Sequence, residues 1–192
     1  MPNNKRLIVL SSPSGGGKTT VARFLMQKYP SIRFSISATT RAKRPNENDG
    51  IDYYFLSKEE FESSIKENDF VEYEQIFDNY YGTLKSEVEK AFGNNELLIF
   101  DIDVKGAFSI RQHYPKDALL IFLAPPNLDV LEERLRGRST ESEAQIQIRL
   151  ARAKMELDTA EEFDFVVVNN VLDDTIKEVE RIVSENCFSD KL

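Results

Sequence analysis

The run Ser12-Pro13-Ser14-Gly15-Gly16-Gly17-Lys18-Thr19 constrains the fold more than any other feature of this chain. Before it stands Leu7-Ile8-Val9-Leu10, a short run of branched apolar residues that reads as a strand buried on both faces. After it comes VARFLMQKY, whose apolar spacing fits a helix ending before Pro30. Strand, glycine loop and helix in that order make an anion cradle. Backbone N–H groups converge, glycines let the chain pass close, and a helix N-terminus lies behind. The run matches G-x-x-x-x-G-K-[ST] except that Ser12 stands at the first glycine position. In that pattern Lys18 reaches the β- and γ-phosphates and Thr19 turns its hydroxyl to Mg²⁺. The expected ligand is a nucleoside triphosphate, held by Ser12, Pro13, Ser14, Gly15, Gly16, Gly17, Lys18, Thr19 and Thr20.

The buried-strand signature recurs at 97–100, 118–123 and 165–168, with helical stretches at 104–113, 127–137, 141–160 and 172–185. Asn127 after Pro125-Pro126 and the box Thr140-Glu141-Ser142-Glu143 supply helix starts. Strands alternating with helices predict a parallel sheet with helices on both faces. Residues 34–84 break the rhythm. Short strands are expected at Phe34–Ser37 and Asp52–Phe55, a helix capped by Ser57, and a strand over Phe70–Phe77. The segment reads as an inserted α+β lobe.

Composition narrows the class. Over 192 residues the charge is -8, which disfavours a general nucleic-acid binder. A membrane span needs about 18 unbroken apolar residues, and the longest run, 118–126, is half that. The opening MPNNKRLIVLSS has too short an apolar core for a secretory signal. The single cysteine, Cys187, fits a reducing compartment, so a cytoplasmic location is expected. The single histidine, His113, excludes a multi-histidine metal site.

Asp101-Ile102-Asp103 follows the strand LLIF, where a carboxylate that helps hold magnesium should sit. Asp103-Val104-Lys105-Gly106 also fits the D-x-x-G element of GTPases, but no N-K-x-D motif lies on a later strand. The patch Arg134-Leu135-Arg136-Gly137-Arg138-Ser139 joins two helices and is rich in arginine.

With Ser35-Ile36-Ser37-Ala38-Thr39-Thr40-Arg41, Arg44, Gly50 to Phe55, Glu72, Tyr80-Tyr81-Gly82-Thr83 and Glu133 to Arg138 in order, the chain resembles the guanylate kinases along almost its whole length. The resemblance implies an α/β fold: a P-loop kinase with a central parallel sheet flanked by helices, an inserted α+β GMP-binding lobe and a helical lid. A single domain over 1–192 would divide into core 1–33, 85–126 and 160–192, lobe 34–84 and lid 127–159. The implied reaction is ATP + GMP → ADP + GDP, with dGMP accepted and Mg²⁺ as cofactor. Small-molecule partners are implied, with no nucleic acid or membrane; monomer and homodimer stay open.

By the same resemblance Arg41, Arg44, Tyr53 and Tyr81 hold the GMP phosphate, and Ser37, Glu72, Thr83 and Asp103 read the guanine. Arg134, Arg138 and Arg149 belong to the lid and meet ATP phosphates, and Asn169 lies near the adenine. Thr19 and Asp101 are the implied magnesium residues, and Lys18, Arg41, Arg134, Arg138 and Arg149 the catalytic ones. Thr83 replaces a frequent serine and keeps its hydroxyl; Lys105 replaces a usual glutamine.

The chemistry agrees with these roles. Arginine grips a phosphomonoester with two parallel donors where lysine offers a point charge. One carboxylate at Glu72 can accept from guanine N1–H and N2–H together, whereas adenine presents a lone pair at N1. The attacking phosphate is already ionised, so alignment and charge stabilisation suffice without a general base. Two rivals remain: an inactive guanylate-kinase-like binding module, and a kinase for another monophosphate.

Overall fold

The computed structural model describes residues 4–76, 78–137 and 143–188. The chain divides into two compact units, Met1–Pro30 with Ile99–Leu192, and Ser31–Leu98. The expected α/β class holds. A parallel five-stranded sheet runs in the order β2 (Ile32–Phe34), β7 (Leu97–Asp101), β1 (Leu7–Ser11), β8 (Ala118–Ala124), β9 (Phe165–Val168). Every residue of β1 and β8 is buried, so these central strands carry no polar face. Their pairing starts at Leu7 opposite Ala118 and places Ser11, where the glycine loop begins, opposite Phe122.

Helices α1 (Lys18–Lys28), α4 (Val104–His113) and α7 (Leu172–Cys187) belong to this first unit. So do α5 (Leu128–Arg136) and α6 (Glu143–Asp158), which pack Leu131 and Leu135 against Leu150 and Ala153. Asn127 caps α5 by accepting from Val130 N–H. The capping box expected at Thr140 to Glu143 involves residues 140–142, which lie outside the described residues. A 3₁₀ turn, Ala160–Glu162, follows α6 where the helical pattern had been extended to residue 160. Helix α1 begins three residues before the apolar pattern does, because Gly17 at φ 90° turns the loop directly into it.

The second unit holds a four-stranded sheet ordered β4 (Tyr54–Phe55), β3 (Ala38–Thr39), β6 (Asn79–Leu84), β5 (Phe70–Ile76), with α2 (Lys58–Lys66) and α3 (Lys85–Gly93). Ser57 caps α2 through a reciprocal box with Glu60. Phe61 of α2 stacks on Phe70 at 4.3 Å and on Tyr80 at 5.2 Å, and this aromatic stack is the heart of the lobe.

The single strand expected at Phe34–Ser37 is absent. Phe34 instead ends β2, residues 35–37 lie in no strand before β3 begins at Ala38, and Ile36 N–H turns to the Glu87 carboxylate instead of a ladder carbonyl. The strand expected over Asp52–Phe55 is reduced to Tyr54–Phe55, because Gly50 N–H closes a turn on Tyr53 O. Among the described residues no helix is long and apolar enough to cross a membrane.

Candidate functional site

In the first unit the glycine loop closes on itself through Gly16 N–H to Pro13 O at 2.9 Å. Ser12 and Pro13 are buried beneath it, Ser14 and Gly15 are half-buried, and Thr20 is exposed on the first turn of α1. Lys18 donates to Ser12 O at 2.8 Å and Ser12 Oγ at 3.2 Å, with Asp101 3.9 Å away. Burial lowers the Lys18 pKa, and the charges of Asp101, Glu156 and Asp103 oppose that shift. The ammonium is partly desolvated, which strengthens its attraction for any anion brought beside it.

Thr19 donates its hydroxyl to Asp101 Oδ2 at 2.6 Å, so the first turn of α1 and the end of β7 present two hard oxygens together. Asp103 caps α4 by accepting from Gly106 N–H, and its other oxygen accepts from Arg152 at 2.8 Å. Arg149 of α6 donates to Ser14 Oγ at 2.6 Å. Arg134 of α5 donates to Asn169 O at 2.9 Å. Asn169 is itself buried, with its amide directed to Gly16 O. Arg138 lies outside the described residues.

A cavity of about 410 Å³ is lined by Ser12, Ser14, Lys18, Asp101, Ile102, Asp103, Arg149, Arg152 and Glu156; Thr19, Arg134 and Asn169 are not among its lining residues. Arg152 and Glu156 went unnoticed in the sequence, although with Arg149 they recur at helical spacing along α6. Arg152 also donates to Glu156 at 2.8 Å. Burial raises the Glu156 pKa against the opposing pull of Arg152 and Lys18. Lys105 is exposed.

In the second unit Arg41 lies over the rings of Tyr53 and Phe55, at 5.4 and 5.8 Å. Its guanidinium donates to Glu47 at 2.7 Å and to Ala42 O at 2.8 Å. Arg44 offers its backbone N–H to the same Glu47 carboxylate, while its side chain is exposed. The hydrogen bond from Arg41, then that from Arg44, holds the Glu47 carboxyl below its ordinary value. Tyr53 and Tyr81 meet edge to face at 6.3 Å. Arg41, Tyr53 and Tyr81 thus lie together, with Glu47 joining the Arg41 guanidinium to the Arg44 backbone. Glu47 was not anticipated from the sequence.

Across the β5–β6 pair Thr83 donates its hydroxyl to Glu72 Oε1 at 2.7 Å. Gly82 lies beside them because a Cβ there would come 2.8 Å from Glu72 O. Ser37 precedes β3, its carbonyl accepting from Tyr54 N–H.

A family model described as "Guanylate kinase" matches residues 4–186. The chain is 48% identical over 174 residues to a guanylate kinase of Chlorobium luteolum, covering 91% of this chain and 88% of that protein. It is 49% identical over 179 residues to one of Salinibacter ruber, covering 93% and 94%. Among solved structures, guanylate kinase from Anaplasma phagocytophilum superposes with a TM-score of 0.72 at 31% identity, over 95% of this chain and 87% of that one. The SH3-kinase fragment of tight junction protein 3 shares the fold at a TM-score of 0.51 and 12% identity, over 94% of this chain and 57% of that fragment.

Proposed function

The chain belongs to the guanylate kinase family, and from that premise we propose that it transfers the γ-phosphoryl group of ATP to GMP, and to dGMP, giving ADP and the nucleoside diphosphate. The observation that carries this reading is the convergence of Lys18, Asp101 and Arg149 on one cavity at the glycine loop, with the Thr19 hydroxyl bonded to Asp101. A module that merely bound a partner would not need a desolvated lysine beside a hydroxyl–carboxylate pair. The catalytic reading therefore outranks the binding module.

Lys18, Arg134 and Arg149 would direct positive charge to the donor phosphates and to the transferring group, where charge is redistributed most. Thr19 and Asp101 suit Mg²⁺, a hard cation that takes one or two protein oxygens and completes its shell with phosphate and water. Bound there, the ion would neutralise phosphate charge. Among the described residues no cluster of three His, Cys, Asp or Glu side chains could hold a metal. That fits an ion held largely by the nucleotide.

Arg41, Arg44, Tyr53 and Tyr81 would orient the GMP phosphate. Glu72 would accept from guanine N1–H and N2–H while Ser37 or Thr83 donates to O6; Asp103 is assigned to the same base and Asn169 to the neighbourhood of the adenine. The attacking phosphate oxygen must come in line with the γ-phosphorus, and water must be kept out so that ATP is not hydrolysed. The cytoplasmic location expected from the sequence belongs to this reading.

Quantifying GDP formation with each component omitted in turn tests the proposal. Product that requires the protein, ATP, GMP and Mg²⁺ together is expected. ADP formed at the same rate without GMP would overturn it.

A further inference from the structure

Asn169 hydrogen-bonds the glycine loop, β8, α7 and α5 together, more than a base contact would require. It is the first residue beyond β9, and β9 lies two strands from β1 in the sheet order. Its backbone N–H donates to Ala124 O at 2.7 Å, at the end of the intervening strand β8. From there its Nδ2 reaches Gly16 O at 2.8 Å. The loop fits closely against this amide, since a Cβ on Gly17 would lie 2.5 Å from Nδ2.

The far side of the amide is fixed as well. Thr175, 2% exposed in the first turn of α7, holds its hydroxyl 3.0 Å from Asn169 Oδ1 and 3.0 Å from Val171 O, its one proton shared between the two acceptors. With the oxygen so engaged, the NH₂ faces the loop; turning the amide over would set Oδ1 against Gly16 O, lone pair against lone pair. The backbone carbonyl of Asn169 accepts from Arg134 at 2.9 Å. One buried residue therefore ties together the ends of β8 and β9, the start of α7, the glycine loop and an arginine of α5.

We propose that Asn169, oriented by Thr175, is a positioning residue that holds the glycine loop and Arg134 in the geometry that grips the donor triphosphate. The proposal rests on the donor-site reading above and adds a role separate from adenine contact. The side chain acts through Gly16 and its carbonyl acts through Arg134. Losing the amide leaves the Gly16 carbonyl without its buried donor and frees the loop to shift.

The test compares wild type with Asn169→Ala, Asn169→Asp, Thr175→Val and Thr175→Ser. ATP affinity is measured by calorimetric titration, KM and kcat by steady-state turnover, and folding by thermal melts. Asn169→Ala is expected to weaken ATP binding and lower kcat by about 10- to 100-fold each, with the KM for GMP unchanged. Asn169→Asp, of the same shape but with an acceptor facing Gly16 O, should lose at least as much. Thr175→Val should weaken ATP binding by about 3- to 10-fold, and Thr175→Ser should restore it.

A lower melting temperature with ATP affinity and kcat unchanged would overturn the proposal, since a merely structural role predicts that pattern. So would equal losses in Thr175→Val and Thr175→Ser. If Asn169→Ala does not fold, the Thr175 pair decides. If wild type binds ATP but does not phosphorylate GMP, the proposed activity falls, and ATP affinity alone still decides the role of Asn169.

Discussion

The cations beside the glycine loop and two arginines of the lobe, Arg41 and Arg33, are held by different means. In the first group, Lys18 donates to the carbonyl and hydroxyl of Ser12 with Asp101 3.9 Å away, Arg149 donates to the Ser14 hydroxyl and Arg134 to the Asn169 carbonyl. In the second, Arg41 is paired with Glu47, and Arg33 with Glu87 and Glu96. A cation held by neutral dipoles keeps its field for an incoming anion. A cation matched to a carboxylate is well ordered, but an arriving phosphate must compete with that carboxylate. Carboxylate pairing also occurs within the first unit: Arg152 with Asp103 and Glu156, Arg111 with Asp164, and Lys28 with Glu180. Under the proposed function the glycine-loop cavity delivers charge and the lobe selects the base.

Lys18→Ala breaks the contrast most severely. Turnover at saturating substrates should fall by at least about 10³-fold, with a melting curve close to wild type. Near-wild-type turnover would show that Lys18 delivers no charge to the reaction. Glu72→Gln probes selection. It should cost about 10²-fold in kcat/KM for GMP, because the new NH₂ opposes guanine N–H donors, while the KM for ATP stays unchanged. An equal rise in both KM values would remove Glu72 from base reading.

Glu87 tests whether matched ion pairs stabilise the lobe. Its side chain is 2% exposed and accepts from Tyr54 at 2.6 Å and Arg33 at 2.9 Å. Burial alone would push its carboxyl up, but those hydrogen bonds and the Arg33 charge outweigh burial and hold it below the ordinary value of 4.5. On acidification the unfolded chain takes up the proton first. The stabilisation is therefore complete above about pH 4.5 and is lost as pH falls through the lowered folded value. Burial, with the bond to Glu87, pushes the Tyr54 phenol up to about 12. That contribution is complete below the ordinary value of 10 and is lost as pH rises through about 12. Glu87→Gln should cost about 1–3 kcal/mol at neutral pH and flatten the acid limb of the melting profile; an unchanged acid limb would assign that limb to other groups.

Glu47→Gln should give the smallest effect. Removing the competing carboxylate should lower the KM for GMP by about two- to fivefold, the scale of one half-buried ion pair. A rise in KM would show instead that Glu47 serves mainly to orient Arg41.

What could be seen in the sequence follows the same division. The strand, glycine loop and helix at 7–28 were legible because one set of residues serves both folding and anion binding. The fully apolar β8 was legible because a strand buried on both faces has no polar positions to confuse its pattern. The lobe was harder to read. Helix α3 was missed because an inward position carries Glu87, an acid whose partners come from Arg33 and Tyr54, far away in sequence. Strand β6 was missed because Asn79 and Gly82 look like turn residues, whereas Gly82 is required by the close backbone of β5. Arg152 and Glu156 stood in plain helical spacing with Arg149, but only the fold brings that face to the cavity. Asn169 was singled out for the adenine, and its hold on Gly16 depends on a β9 lying two strands from β1, a distance no spacing reveals.

The most direct test of the whole account is the ratio of kcat/KM for GMP to that for AMP, measured with ATP and Mg²⁺ in one continuous assay. A carboxylate and hydroxyl that read guanine predict a ratio of about 10³ or more, from two or more mismatched buried polar contacts with adenine. A ratio near one would contradict the assignment of Glu72 and Thr83 to base reading, and with it the claim that this chain phosphorylates GMP by selection in the lobe.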